Sequence, residues 1–330
     1  MKKILEQLFE NKQLSYDTAK ETLTNIGQGK YNQSQIAAFL TVYLMRSISL
    51  NELAGFRDAL LDLCVKIDLS DFNTIDLCGT GGDGKDTFNI STLSAFVVAG
   101  AGYKVAKHGN YGVSSGCGSS NVLEYLGYQF TNNQDELRKS IEKAGICFLH
   151  APMFHPAMKN VGPTRRELQT KTFFNILGPM VNPGFPQNQI VGVFNLEVAR
   201  LYAYLFQQSK ANFSIIHALD GYDEISLTGN FKVISNQQDV ILSPEDIGFQ
   251  KIKADLIKSG GSIVEAAKIF MTILEGRGTE AQNSVVLANS ALAIQTISQN
   301  KNMEDAVEEA KASLIGGKAL KSLKTLIDNI

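Results

Sequence analysis

Cysteine and proline are scarce in this chain: four cysteines and seven prolines among 330 residues. Cys64, Cys78, Cys117 and Cys147 lack the paired spacing of a metal site, so they read as reduced, packed thiols, as in a cytoplasmic protein. Cys117 differs in lying within a glycine-rich loop, where no motif supplies a base to make it a nucleophile. No apolar run reaches the roughly 18 residues that a membrane span needs. The opening MKKILEQLFENKQL carries acidic residues and no long apolar core, so no signal peptide is expected. Blocks of one charge are also missing. The 31 basic and 33 acidic residues leave a net charge of −2, which argues against nucleic acid and membrane surfaces as partners. There are no repeats and no low-complexity segments. A hydrophobic content of 44% and a charged content of 19% are ordinary for a globular protein, and the length suits one large domain or two modest ones.

What is abundant is glycine and hydroxyl side chains between residues 74 and 124. Short apolar runs at 74–78 and 103–106 lead into loops at 79–89 and 107–119. Each loop opens a helical pattern, the first at Ser91 or Thr92 and the second near 119–121. Glycine lets backbone N–H groups approach an oxyanion. The first turn of a helix offers unpaired N–H groups and a positive dipole end. Ser91, Thr92, Ser114, Ser115, Ser119 and Ser120 add hydroxyl donors, and Lys107 adds a full charge. Two such loops side by side suit a ligand with two phosphate ends.

Three readings compete for the first loop. Gly79, Gly81 and Gly84 fit the dinucleotide pattern G-x-G-x-x-G, but Lys107-His108 ends the second run where an acidic residue is wanted. Gly79 with Gly84-Lys85 nearly fits a nucleotide P-loop, but Asp86 stands where Ser or Thr should hold magnesium. In the third reading Asp83 lies beside a metal-bound pyrophosphate, the cation relieving the repulsion between carboxylate and phosphate.

Residues 1–68 read as four helices. Ile4, Leu5 and Leu8 mark the first, and Ser15 caps a second running to about Ile26. Ile36, Phe39, Leu40, Tyr43 and Leu44 mark the third, which is apolar on more than one side, as a buried helix or a dimer contact would be. Ser49 and Glu52 form a capping-box signature for the fourth, with Leu53, Phe56, Leu60 and Leu63 along one face. From residue 74 strands and helices alternate. Strands are expected at 74–78, 103–107, 146–150, 189–194 and 213–219, and helices at 91–100, 120–126, 133–144, 154–160 and 196–209.

The expected fold is α/β, with a small all-helical domain over 1–70 and a larger domain over 71–330 built on a mainly parallel sheet flanked by helices. Ligands of such sheets bind at the carboxyl ends of the strands, where both glycine loops lie. Residues 151–185 hold most of the prolines and look like a connection that leaves the sheet and returns, part of it (155–185) packing on the helical domain. The strand at 213–219 ends in Asp220-Gly221-Tyr222-Asp223-Glu224, either a solvated acidic turn or a turn whose carboxylates share a cation. Residues 225–256 read as β-rich (ISLTG, FKVIS, QDVILS) and 262–330 as helical.

GTGGDG at 79–84, TFNIST at 87–92, KHGN at 107–110, VSS at 113–115 and the following GS and VLE closely resemble the anthranilate phosphoribosyltransferase family of tryptophan biosynthesis. So do Arg165, Leu168, Thr172-Phe173-Phe174-Asn175, Leu177-Gly178-Pro179, Asn182-Pro183 and the Asp220–Glu224 turn. The chain departs from the family pattern at Tyr111, Gly116, Cys117 and Asn121. The resemblance implies transfer of phosphoribosyl from phosphoribosyl pyrophosphate to the amine of anthranilate, with Mg²⁺ as cofactor. It implies donor contacts at Gly79, Gly82, Asp83, Thr87, Asn89, Ile90, Ser91, Thr92, Lys107, Ser115 and Ser119. For anthranilate it implies Gly79, His108, Asn110 and Arg165, the last in preference to Arg166 as a two-pronged clamp on the carboxylate. Ser91, Asp223 and Glu224 are the implied metal ligands. An aromatic amine is neutral at pH 7, so no essential acid or base is assigned, and His108 and His155 are left open between site and packing roles. The resemblance also implies a homodimer through the N-terminal helices. A pyrimidine nucleoside phosphorylase would want K-x-S-T-G-G, but no lysine precedes the glycines here. A non-catalytic, nucleic-acid-binding relative would show a basic surface and lose Asp223 and Glu224.

Overall fold

In the computed structural model, which describes residues 1–112 and 116–328, the strands form one seven-stranded sheet. The chain divides into two compact units, one of residues 1–67 with 151–183 and the other of residues 68–150 with 184–330.

The first unit is helical. It contains α1 (Lys2–Phe9), α2 (Tyr16–Gly27), α3 (Gln33–Met45) and α4 (Leu50–Leu63). Ser15 caps α2 by accepting from the Thr18 N–H, and Ser49 and Glu52 make the reciprocal bonds of a capping box on α4. Glu52 does more than cap. Its fully buried carboxylate pairs with Arg46 and accepts from the Leu14 N–H at 2.9 Å and the Tyr43 hydroxyl at 3.1 Å. Burial alone would raise its pKa, but the Arg46 guanidinium and the N–H groups of Leu14 and Ser49 outweigh it and hold it below the usual range. Phe39, Tyr43 and Phe56 close around Phe173, which stacks on Phe56 at 4.7 Å. Val65 donates to the Phe154 carbonyl and Ile67 to that of Pro183, joining residues 151–183 to the first four helices. The helix expected at 154–160 is instead an α turn over Ala151–Phe154 followed by a 3₁₀ turn over Pro156–Asn160. Pro156 has no N–H with which to continue an α-helix from 154.

The second unit carries β1 (Thr74–Gly79), α5 (Ile90–Gly100), β2 (Lys104–Gly109), α6 (Ser119–Tyr125), α7 (Gln134–Ala144), β3 (Ile146–His150), β4 (Asn188–Gly192), β5 (Asn212–Ala218), β6 (Phe231–Ser235) and β7 (Asp239–Leu242). The strand order is β3-β2-β1-β4-β5-β6-β7, parallel from β3 to β5 and antiparallel beyond. β2 and β3 follow β1 to one side while β4 lies on its other side. The order therefore reverses at β1 and β4, and loops leaving those strands diverge around a crevice. α5 is apolar all round and almost wholly buried, packed against the helices Glu280–Ile297 and Lys318–Asp328.

One expected strand is absent. ISLTG at 225–229 is a turn, although its alternation imitates a strand. Leu227 has φ of 58°, which no strand residue adopts. Asn289, from a distant helix, takes both backbone groups of Ile225, its Oδ1 accepting from the N–H at 3.0 Å and its Nδ2 donating to the carbonyl at 2.9 Å. Among the described residues no helix is long and apolar enough to cross a membrane.

Candidate active site

The site is organised by two glycines that leave room for one aspartate. Gly79 ends β1 and Gly192 ends β4, and the two are paired in register. A Cβ on Gly79 would collide with the Asp223 carboxylate, and one on Gly192 would overlap the Asp223 carbonyl. Bare backbone at the strand reversal thus admits the turn after β5. Asp223 Oδ2 accepts from the Gly81 N–H at 2.7 Å, tying that turn to the first glycine loop.

Asp83 comes to the same point. Its Oδ1 accepts from the Lys85 N–H at 3.1 Å, and its carboxyl also shares a hydrogen bond with Asp223. Burial, the charge of Asp83 and that shared bond push the Asp223 carboxyl up to about 7, against the opposing Gly81 N–H. Glu224, next to it, is half-buried. Burial and the charge of Asp223 raise it strongly, while Lys107 and the Ser91 N–H favour its charged form. Lys107, only 2% exposed, donates to the Leu77 carbonyl. Burial lowers its pKa, and Asp76, Cys78 and Glu224 oppose that.

Like charges converging in a partly buried corner call for a cation. Among the described residues no three His, Cys, Asp or Glu side chains form a ready-made metal cage. Mg²⁺ does not need one, because it usually takes one or two carboxylates and completes its shell with water and substrate phosphate oxygens. The donor set of Asp223, Glu224 and the Ser91 hydroxyl is all oxygen and fits that ion. Thr80, not singled out by sequence, is buried at the same strand end, and its Oγ1 has no partner among the described residues.

The first loop turns through positive φ at Gly81, Gly82 and Gly84 and also at Asp86. Residues 257–259 strap it down. Thr87 bridges to Lys258, Phe88 donates to the Ile257 carbonyl and Ser259 donates to that of Asp86. Asn89 Nδ2 donates to the Cys117 carbonyl at 3.2 Å, so the two glycine loops touch. Ile90 and Thr92 are buried in the first turn of α5, beside half-buried Ser91.

Along β2, the His108 N–H donates to Asp76 Oδ1 at 3.1 Å. Asn110 is exposed, and its carbonyl accepts from the Ser120 N–H and the Ser119 hydroxyl. Ser114 and Ser115 lie outside the described residues. Asp223, Glu224, Asp83, Ser91 and Lys107 are therefore one cluster, with Gly79 and Gly82 in its loop wall and Ser119 at the start of α6. Arg165 stands in the helical unit, on the helix Gly162–Leu168. Its guanidinium lies 5.3 Å from the Phe174 ring centroid and donates to Asn175 Oδ1 at 3.3 Å. Among the described residues no carboxylate pairs with it, and burial lowers its pKa. Arg166 is exposed.

Sequence reading missed Gly192, Asp76 and the strap at 257–259. The lone glycine in the apolar strand QIVGV is a sign of close backbone approach, but nothing local marks the other two.

Residues 71–320 match the a/b domain of a glycosyl transferase family, and residues 2–64 match the helical bundle domain of the same family. The chain is 63% identical over 326 residues to the anthranilate phosphoribosyltransferase of Flavobacterium psychrophilum, covering 99% of this chain and 98% of that one. It is 51% identical over 328 residues to the enzyme of that name from Bacteroides fragilis, covering 99% of each. The crystal structure of anthranilate phosphoribosyltransferase from Thermus thermophilus superposes with a TM-score of 0.91 at 29% identity, covering 98% of both chains. That of the Saccharomyces cerevisiae enzyme in complex with PRPP and Mg superposes with a TM-score of 0.90 at 27% identity, covering 98% of this chain and 96% of that one.

Proposed function

The chain belongs to the anthranilate phosphoribosyltransferase family, and from that premise we propose that it transfers phosphoribosyl from phosphoribosyl pyrophosphate to the amine of anthranilate, releasing pyrophosphate. The observation that carries this reading is the convergence of Asp83, Asp223 and Glu224 at the ends of β1, β4 and β5, beneath a glycine loop.

As pyrophosphate leaves carbon 1 of the ribose, negative charge builds on the leaving group and positive charge on the sugar. Catalysis consists of stabilising the first and positioning a weak amine against the second. Asp223, Glu224 and Ser91 would hold Mg²⁺. When bound, the ion acts as a Lewis acid and a template for the pyrophosphate. Lys107 and the Ser91 N–H favour the charged form of Glu224, against burial and the charge of Asp223, which raise its pKa. Gly79, Gly82, Asp83 and Thr87 line the pyrophosphate loop. Asn89, Ile90, Ser91, Thr92, Lys107, Ser115 and Ser119 contact the phosphates of the donor. Gly79, His108 and Asn110 face the amine side of anthranilate, and Arg165 clamps its carboxylate. Arg165 suits that role because it is a half-buried cation with no carboxylate paired to it among the described residues. The neutral aromatic amine needs no strong base, and none is assigned.

We also propose a cytoplasmic homodimer joined through the N-terminal helices, where Phe9, Leu44 and Met45 are exposed. The test of the reaction is direct. Purified protein with Mg²⁺ and phosphoribosyl pyrophosphate should extinguish anthranilate fluorescence as product forms, and removing the metal with a chelator should stop it. Persistent fluorescence with all components present would refute the reading.

A further inference from the structure

The acidic turn after β5 is clamped by a neutral side chain that the mechanism above does not use. Asn289 lies on the helix Glu280–Ile297 and is 2% exposed. Its amide takes up both backbone groups of Ile225, the residue after Glu224, through Oδ1 at 3.0 Å and Nδ2 at 2.9 Å. Nδ2 also donates to the Val285 carbonyl at 2.8 Å, which fixes the amide on its own helix. An amide suits this place because it offers an acceptor and two donor hydrogens without adding charge. The far end of the turn is tied as well. Thr228 Oγ1 donates to Asp220 Oδ2 at 2.5 Å and shares a 2.7 Å bond with Ser226 Oγ. Leu227, between the two ties, has a φ of 58°, a conformation that persists only where its surroundings impose it. Asp223 and Glu224 stand between Asp220 and Ile225, the two anchored points of the turn.

We propose that Asn289, acting through the backbone of Ile225, is a positioning residue that sets the acidic turn in its metal-receiving form before any ligand arrives. The inference rests on the metal reading of Asp223 and Glu224. The carboxyl groups of Asp83, Asp223 and Glu224 repel one another when charged, until a cation lies between them. A turn free to move would relieve that repulsion by spreading them apart. Reassembling it on binding would weaken affinity. The Asn289 amide holds the backbone against that drift and adds no charge to the corner.

Calorimetric titration of the full chain with phosphoribosyl pyrophosphate at stepped Mg²⁺, without anthranilate, reads donor binding apart from turnover. For Asn289→Ala the Mg²⁺ concentration that gives half-maximal donor binding should rise about three- to tenfold. In steady state its KM for anthranilate should stay within about twofold of wild type. Thr296→Val is the control. It removes a buried hydroxyl that bonds the Leu292 carbonyl, about two turns further along the same helix, and should leave the Mg²⁺ midpoint unchanged. If Glu224→Gln raises that midpoint but Asn289→Ala does not, the clamp is overturned while the metal reading stands. If Glu224→Gln is also silent, the metal reading falls and the clamp with it. A rise shared by Thr296→Val, or an equal rise in the anthranilate KM, would mark Asn289 as merely structural and overturn the proposal. Exchange of the Ile225 amide hydrogen needs no variant, so it decides the matter even if Asn289→Ala fails to fold. That hydrogen should be protected in wild-type protein free of metal and donor. Open-loop exchange that slows only when Mg²⁺ and phosphoribosyl pyrophosphate are added would show that the ligand shapes the turn, and the proposal would fall.

Discussion

Asp223 is held where a carboxylate is least comfortable, over two strand ends and against a second aspartate. Its carboxyl is raised to about 7, whereas an unfolded chain would set it near 3.9. A raised acid contributes stability that is complete below the unfolded pKa and is lost as pH climbs through the folded one. In the metal-free protein this contribution should fade between about pH 4 and pH 7. Asp223→Asn should therefore flatten that part of the stability profile, which thermal melts of both proteins across this pH range would read out. The double change Asp223→Asn/Glu224→Gln should lower Mg²⁺-dependent turnover at least about a hundredfold without unfolding the chain. Wild-type turnover in that protein would refute the metal assignment. For Arg165→Ala, loss of a two-pronged charged contact should raise the KM for anthranilate about ten- to hundredfold. The donor KM should move far less, and equal effects on both would argue against a carboxylate clamp.

At the scale of elements, caps and buried runs decided what could be read from sequence. β1 to β5 were legible because each is a short apolar run between turn signals, and the capping box on α4 because Ser49 and Glu52 carry it locally. ISLTG was misread because its alternation is local and what overrules it is remote. The Asn289 amide occupies the backbone groups that a neighbouring strand would have used. In the candidate site, the acidic turn and both glycine loops were visible as motifs. Their meeting point was not, because Gly192 matters only once β4 lies beside β1. Glu52 was legible as a cap but not as the centre of a buried network. Glu52→Gln should destabilise the protein by about 3–5 kcal/mol at neutral pH, since it leaves Arg46 without its partner. Because the folded pKa of Glu52 is depressed, the stability it supplies is present above the unfolded value of about 4.3 and lost below it. The deficit measured by urea unfolding should therefore shrink as pH is lowered through that range.

For the whole molecule, the two chain segments of the helical unit and the surface they expose carry the remaining expectation. Leu44→Glu with Met45→Glu should convert a dimer into a monomer in light scattering if the N-terminal helices form the subunit contact. A wild-type protein that is already monomeric would remove that part of the proposal. The α/β class, with its helical bundle, followed from the change of rhythm at residue 74 and from the proline-rich excursion after β3.

That excursion also has a consequence for how the protein is made. Phe173, against which Phe39, Tyr43 and Phe56 close, is translated only after β1, β2 and β3. The first four helices leave the ribosome without the ring that completes their core. The nascent chain must carry that unfinished aromatic face through the synthesis of three of the seven strands.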